Sequence, residues 1–225
     1  MSGRLFAIGD IHGCFEPLKA LIEEKIRIRK TDKVVFLGDY IDRGPQGKEV
    51  IDYIMRLPDK GYDVIPLSGN HEAMLLDAYA DQGNLPLWIY NGGYTTLMSF
   101  HIRSIRELSD KYLEFFRGLK YWHQTRKYIF VHAGFNDELE DPFTDKYAMI
   151  WECRHHYENP VLKDKVVVHG HRAVPAEICK MSLKESFPVI DVDTGCVYRN
   201  FEGFGRLTAV ELYSKRCFIV GAADA

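Results

Sequence analysis

Residues 34–44 read Val34-Val35-Phe36-Leu37-Gly38-Asp39-Tyr40-Ile41-Asp42-Arg43-Gly44, an apolar run that passes directly into charged residues between glycines. The four apolar residues are typical of a buried β-strand. The segment 48–57 that follows carries its apolar residues at helical spacing. Polar residues between a strand and a helix lie where open α/β sheets bind their ligands, at the carboxyl ends of the strands.

The same pattern occurs at several other places along the chain. In the first third, 5–8 precedes Gly9-Asp10-Ile11-His12-Gly13, and 64–67 precedes Gly69-Asn70-His71-Glu72; later, 128–131 precedes His132-Ala133-Gly134, and 166–168 precedes His169-Gly170-His171. We therefore expect one edge of the sheet to gather all of these polar side chains.

The residue types at that edge suit divalent metal ions. The candidate ligands are Asp10, His12, Asp39, Asn70, His132 and His171. They offer oxygen and imidazole nitrogen without a thiolate, which favours two divalent ions such as manganese, with iron or zinc as alternatives. Six ligands exceed what one ion usually takes from a protein, so two ions that share Asp39 are the economical explanation. Each aspartate or asparagine taken alone would favour a helix cap, but the set together favours metal binding.

These motifs resemble those of the calcineurin-like metallophosphoesterases, and more narrowly the bacterial PPP-type serine/threonine protein phosphatases. The family motifs GDxHG, GDxxDRG and GNHE, followed by separate histidine-containing strand ends, occur here as GDIHG, GDYIDRG, GNHE, HAG and GH between positions 4 and 171. The resemblance implies an α/β fold, a two-sheet sandwich flanked by helices.

The resemblance also implies roles for individual residues. Asp10 and His12 would hold the first ion, Asp39 would bridge, and Asn70, His132 and His171 would hold the second. Arg43 would clamp the substrate phosphate, because a guanidinium matches phosphate geometry. His71, oriented by Asp42, would protonate the leaving oxygen.

Several nearby residues have competing interpretations. Arg154, shortly after Trp151, and Arg172 are rival candidates for a second phosphate clamp. His169 shares a strand face with His171, and we favour a packed strand-end histidine over a hydrogen-bonding neighbour of the metal ligands. Cys14 is interpreted as a small apolar residue at the start of a helix.

The remaining sequence predicts the domain organisation. We expect a single domain over 1–225, with a helical insert or subdomain over 81–127. Leu108, Tyr112, Phe115 and Leu119 in that segment fit one helix face. Short β-type runs at 187–192, 207–212 and 217–220 predict a second sheet packed against the first.

Composition restricts the partners. A net charge of −3 gives no general attraction to nucleic acid or to anionic membranes, and no apolar run approaches the length of a membrane-spanning helix. The chain passes from Met1 directly towards a strand, so we expect no signal peptide. Its five scattered cysteines indicate reduced thiols, and we expect a cytoplasmic location.

Three functions are compatible with these observations. The first is hydrolysis of phosphomonoesters, foremost phosphoserine and phosphothreonine in proteins. The second is hydrolysis of a small phosphorylated substrate, symmetrical diadenosine tetraphosphate. The third is a catalytically inactive metal-binding scaffold, which would have lost motif residues, yet every candidate ligand is present. The oligomeric state is not indicated by the sequence.

Overall fold

The structure, a computed structural model, describes residues 3–221 of the 225-residue chain. Its strands are β1 (Leu5–Ile8), β2 (Lys33–Phe36), β3 (Asp63–Pro66), β4 (Trp122–Gln124), β5 (Tyr128–Val131), β6 (Val166–His169), β7 (Val189–Asp191), β8 (Arg206–Glu211) and β9 (Arg216–Gly221). Its α-helices are α1 (Phe15–Ala20), α2 (Gly47–Asp59), α3 (Asn70–Ala80), α4 (Leu85–Trp88), α5 (Tyr94–Ser99), α6 (Asp110–Arg117), α7 (Lys146–Trp151) and α8 (Ala176–Glu185). Shorter 3-10 turns cover Gln82–Asn84, Ile105–Glu107 and Pro142–Thr144, and π-helical turns cover Leu21–Ile26 and Ile89–Gly93.

Two mixed sheets form the centre of the fold. The first has the strand order β3-β2-β1-β8-β9, in which β1, β2 and β3 are parallel and β8 runs antiparallel to β1. The second has the order β4-β5-β6-β7, in which β5, β6 and β7 are parallel. The predicted two-sheet α/β sandwich flanked by helices is confirmed.

The C-terminal strands differ from the prediction. The run 187–192 contributes β7 to the second sheet as expected, but β8 and β9 belong to the first sheet. The expectation that all three runs build the second sheet is therefore wrong. Strand β1 pairs with β2 on one side only, and the β8–β9 hairpin supplies hydrogen-bond partners to its other edge.

Alternate side chains of β1 belong to two different buried clusters, one of which lies between the two sheets. Successive residues of a strand point to opposite faces, so Leu5 and Ala7 share a buried cluster with Phe130 of β5. Phe6 and Ile8 lie in a different cluster, together with the apolar faces of α1 and α2. Full burial of an aliphatic or aromatic side chain contributes about 1.5–3 kcal/mol. The packed sandwich therefore holds the ends of the parallel strands in fixed positions.

The segment 81–127 is mostly helical, with α4, α5 and α6, two 3-10 turns and one π-helical turn, but its last part forms β4 of the second sheet. Tyr112 and Phe115 lie on α6, while Leu108 and Leu119 flank it, and all four pack on the main core. Within residues 3–221, we find no helix long and apolar enough to cross a membrane.

Candidate metal centre

The strand ends of both sheets deliver the predicted ligands to one place. Asp10 and His12 follow β1, Asp39 follows β2, Asn70 begins α3 after β3, and His132 and His171 follow β5 and β6. Five of these side chains belong to residues that are at most 3% exposed, and His171 is partly exposed. The centre is a buried polar site with one partly open side.

Two groups of potential ligand atoms meet at Asp39. Its Oδ2 lies 3.5 Å from His12 Nε2 and 3.9 Å from His71 Nε2, and its Oδ1 lies 3.5 Å from His132 Nε2. The ligand atoms of His12, Asp39 and His71 all lie within 4.8 Å of one another, as do those of Asp39, His132 and His171. Asp39 is the member common to both groups, as a bridging carboxylate would be.

Asn70 completes the second group. Its Oδ1 lies 2.9 Å from His132 Nε2 and 3.0 Å from His171 Nδ1, and these two nitrogens are 3.1 Å apart. Three potential metal-ligand atoms thus converge on a small volume beside the Asp39 carboxylate.

Hydrogen bonds of the histidines show whether this volume suits a cation. We assign Nδ1–H to His12, which donates to the Ile41 carbonyl at 3.0 Å, and to His132, which donates to the Leu37 carbonyl at 2.9 Å. In the neutral imidazoles, Nε2 then carries a lone pair that faces the site. At His132 that lone pair faces the Asn70 oxygen, where neither atom has a proton to share. A cation resolves this clash, so the residues fit metal ions.

The pKa values of the histidines agree with this fit. Burial lowers the pKa of His12 and that of His132, and burial with neighbouring His132 lowers the pKa of His171 to about 3. Metal ligation requires a neutral imidazole, which these environments favour.

Asp10 lies beside the second group. Both of its carboxylate oxygens accept from the backbone N–H of His171, at 3.1 and 3.2 Å. Burial, then Asp193 and Asp39, raise the pKa of Asp10 well above its ordinary value, and burial raises that of Asp193 to about 7. Buried carboxylates that repel one another in this way are stabilised by a multivalent cation. Among the described residues, Asp10 belongs to neither of the two three-residue groups. The third member of the group that contains His12 and Asp39 is His71.

His71 differs from the other histidines in what holds its ring. Its Nδ1 donates to Asp42 Oδ2 at 2.7 Å, where His12 and His132 donate to neutral carbonyls. Although burial lowers the pKa of His71, the carboxylates of Asp39 and Asp42 raise it above the ordinary value. Its Nε2 is buried and has no hydrogen-bond partner within residues 3–221. A histidine held by a buried carboxylate is suited to carry a proton.

Asp42 is itself held by two side chains from the helical segment. Trp88 Nε1–H donates to Oδ2 at 2.9 Å, and the Thr96 hydroxyl donates to Oδ1 at 2.6 Å while accepting from the Asp42 N–H at 2.9 Å. All of these groups are buried. The sequence motifs identify Asp42 and His71, but not Trp88 and Thr96, which lie 46 and 54 positions from Asp42.

Arg43 lies at the open side of the centre. Its Nη1 lies 2.8 Å from His12 Nε2 and donates to the Tyr198 hydroxyl at 3.1 Å. The positively charged guanidinium thus lies against the Nε2 lone pair of His12, which is also the atom that would bind a metal ion. The backbone N–H of Arg43 donates to the carbonyl of Gly92 at 3.3 Å, so the Asn91-Gly92-Gly93 turn borders the site.

The other two predicted arginines differ from Arg43 in that, among the described residues, no hydrogen bond links them to the cluster. Within residues 3–221, the guanidinium groups of Arg154 and Arg172 make no hydrogen bond or ion pair. Arg172 is exposed and Arg154 is half-buried. That one of these two arginines provides a second contact to the substrate phosphate remains a prediction.

Two other residues near the motifs are packed. His169 is fully buried at the end of β6, where its Nδ1 lies 2.9 Å from the Gly170 carbonyl and 3.9 Å from Cys153 Sγ. Cys14 is buried directly before α1, and its thiol donates to the His12 carbonyl at 3.6 Å.

Comparison with known proteins agrees with this geometry. The chain matches the family model described as calcineurin-like phosphoesterase over residues 3–197. It is 33% identical over 141 residues to serine/threonine-protein phosphatase 2 of Salmonella typhimurium, covering 61% of this chain and 61% of that protein. It is 30% identical over 133 residues to the symmetrical bis(5'-nucleosyl)-tetraphosphatase of Pseudomonas fluorescens, covering 57% of this chain and 41% of that protein. The chain thus spans less than two thirds of either relative.

Solved structures show the same fold. A serine/threonine phosphatase from Saccharomyces cerevisiae superposes with a TM-score of 0.64 at 13% identity, over 97% of this chain and 79% of that one. A cold-active protein-tyrosine phosphatase of a Shewanella species gives 0.63 at 17% identity, over 97% and 80%. The match of the family model over most of the chain, together with this fold, shows that the protein belongs to the calcineurin-like phosphoesterases.

Proposed function

We propose that the protein is a metal-dependent phosphomonoesterase whose substrates are phosphoserine and phosphothreonine in proteins. The observation that carries the proposal is the buried His71–Asp42 pair beside a cluster of metal-ligating side chains. Serine and threonine leave as alkoxides, which are poor leaving groups and need a proton. A dedicated acid directed into the site meets that need.

The roles of the residues follow from their positions. We assign Asp10, His12, Asp39, Asn70, His132 and His171 to two divalent ions, manganese first, with iron or zinc as alternatives. Ions held there would supply Lewis acidity at the phosphate oxygens and lower the pKa of water.

Other side chains of the chain act directly on the substrate. Arg43 binds the phosphate from the open side, with its planar guanidinium facing two oxygens. His71 donates a proton from Nε2 to the leaving oxygen, and Asp42 holds the ring and stabilises its charged form. Arg154 or Arg172 would add a second contact to phosphate or to substrate.

Hydrolysis of symmetrical dinucleoside tetraphosphates is the second candidate. It is supported by the similarity to the Pseudomonas enzyme of that name. Its leaving group is itself a phosphate, which needs a proton less than an alkoxide does, so the buried acid favours the monoester. A catalytically inactive scaffold is disfavoured because each ligand and the acid are in place.

The location is part of the same proposal. All five cysteines are free thiols, as expected of a protein in the reducing cytoplasm. The net charge of −3 supports neither nucleic acid nor an anionic membrane as partner.

The test compares two substrates with the same enzyme preparation. Purified protein with added manganese should hydrolyse a phosphothreonine peptide with a kcat/KM well above that for diadenosine tetraphosphate. Chelation should abolish both activities, and manganese should restore them. A higher kcat/KM for diadenosine tetraphosphate would transfer the assignment to the second candidate.

A further inference from the structure

A small apolar pocket lies next to the proposed phosphate clamp. It is lined by Ala173, Tyr198, Phe201 and Phe204 and has a volume of about 230 Å³. Three aromatic rings and one methyl group form its surface, and no charged side chain is among them.

The loop between β7 and β8 packs the lining groups of this pocket around a glycine. Gly195 has a φ of 66°, and a Cβ there would lie 2.9 Å from the rings of Tyr198 and Phe204. The carbonyl of Gly195 accepts from the N–H groups of Tyr198 at 2.8 Å and Gly205 at 2.9 Å. Phe201 N–H donates to the Tyr198 carbonyl at 3.2 Å, and the rings of these two residues pack edge to face with centroids 6.0 Å apart. Successive turns thus position the three rings around a residue without a side chain.

Tyr198 joins the pocket to the metal centre. Its ring lines the pocket, while its hydroxyl accepts from Arg43 Nη1 at 3.1 Å. The guanidinium carbon of Arg43 lies 5.9 Å from the centroid of the same ring. A group in the pocket and a phosphate bound by Arg43 would therefore have Tyr198 as a common neighbour.

We propose that this aromatic pocket binds an apolar side chain, aromatic or large aliphatic, next to the phosphoresidue of a peptide substrate. The inference rests on the proposed protein phosphatase function and adds a preference for substrate sequence. Pockets for drug-sized ligands measure roughly 300–1,000 Å³, so a cavity of this size holds one side chain. Phe201, with 65% of its surface exposed, leaves the pocket accessible from solvent.

The chemistry of the lining favours a side chain over a nucleobase. A base carries several polar edge groups that lose stability if buried without partners. The lining offers only the Tyr198 hydroxyl, which is already engaged by Arg43. An apolar side chain leaves no group unsatisfied. Burial of a leucine or phenylalanine side chain should raise kcat/KM by about tenfold to a hundredfold.

The test uses pairs of phosphothreonine peptides that differ at one neighbouring position. Phenylalanine is placed at each position from two before to two after the phosphothreonine, and each peptide is compared with its glycine counterpart. Wild-type protein with manganese should prefer phenylalanine at one position by the stated factor. In Phe201→Ala, which removes one wall, and in Ala173→Leu, which fills the space, the ratio should fall towards one. Tyr213→Ala removes an aromatic ring that is 62% exposed on the β8–β9 turn, and the ratio should persist there.

The outcomes separate the pocket from the proposed function. Hydrolysis of all peptides at equal rates overturns the pocket and leaves the phosphatase proposal standing. A preference that survives in both pocket variants also overturns it. Cleavage of diadenosine tetraphosphate without cleavage of any peptide would overturn both the protein phosphatase function and the side-chain pocket, and would favour a nucleobase as the occupant of the pocket.

Discussion

The substitution Asp42→Asn tests the acid at the centre of the proposed function. It removes one charge and keeps the shape of the side chain. The amide oxygen of the asparagine can still accept from His71 and Trp88, while its NH2 group faces Thr96, whose hydroxyl oxygen is able to accept. We therefore expect the fold and the metal content to persist. What is lost is the negative charge 2.7 Å from the His71 ring.

The size of the effect follows from that distance. With charge centres about 4 Å apart and an effective dielectric constant of about 20, the lost attraction is worth about 4 kcal/mol. At 1.36 kcal/mol per factor of ten, this corresponds to about a thousandfold. Direct removal of a general acid typically costs between a hundredfold and ten-thousandfold, so His71→Asn should lose at least as much as Asp42→Asn.

The assay measures kcat on esters with different leaving groups. On a phosphothreonine peptide, Asp42→Asn should approach the thousandfold loss. On p-nitrophenyl phosphate, whose leaving group hardly needs a proton, the loss should be much smaller. Metal content by mass spectrometry and the circular dichroism spectrum serve as controls. Equal losses on both esters would refute the acid role and show that the pair positions phosphate, water or metal.

Three further predictions test other parts of the structure. Asp39→Asn should lower metal content and reduce activity at least about a hundredfold, because its carboxylate belongs to both ligand groups; unchanged metal content would contradict a bridging role. Thr96→Val should lower the free energy of unfolding in urea by about 1–3 kcal/mol, because it removes two buried hydrogen bonds to Asp42. In the control Thr144→Val, which changes an exposed hydroxyl, the free energy of unfolding should change by no more than about 0.5 kcal/mol. Burial opposes ionisation of Asp32, but hydrogen bonds from Arg4 lower its pKa below the ordinary value; this stabilisation holds above the ordinary pKa and disappears as pH falls through the lowered one. Asp32→Asn should therefore weaken the decline of the urea midpoint below about pH 4, and an unaltered decline would contradict the ion pair.

Strand ends and the candidate ligands that follow them can be located from the sequence because the relevant signals are local. An apolar run followed by glycine and a polar residue marks a strand and its end within a few positions, as at Phe36 to Asp39. The sheet to which a strand belongs is not a local property. The sequence alone predicts the wrong sheet for β8 and β9 because their alternation fits either sheet, and only the free edge of β1 decides between them.

The supporting residues of the site were missed for a related reason. Trp88 and Thr96 hold Asp42 from a helical segment that carries no motif, and Tyr198 reaches Arg43 across 155 positions of the chain. Spacing along the sequence carries no information about such contacts. They arise only when the helices and the β7–β8 loop pack around the strand ends.

Glu72, the last residue of the GNHE motif, has a structural role. Asp39 follows Gly38, and both have positive φ values, 51° and 108°, a conformation that costs free energy for a residue with a side chain. This turn directs the backbone N–H groups of Asp39 and Tyr40 towards Glu72, which accepts from them at 2.9 and 2.8 Å and from Gly69 at 2.9 Å. By accepting from three backbone N–H groups, the Glu72 side chain stabilises the strained turn. The glutamate of GNHE therefore holds the loop of GDYIDRG in the conformation that directs Asp39 into the candidate metal centre.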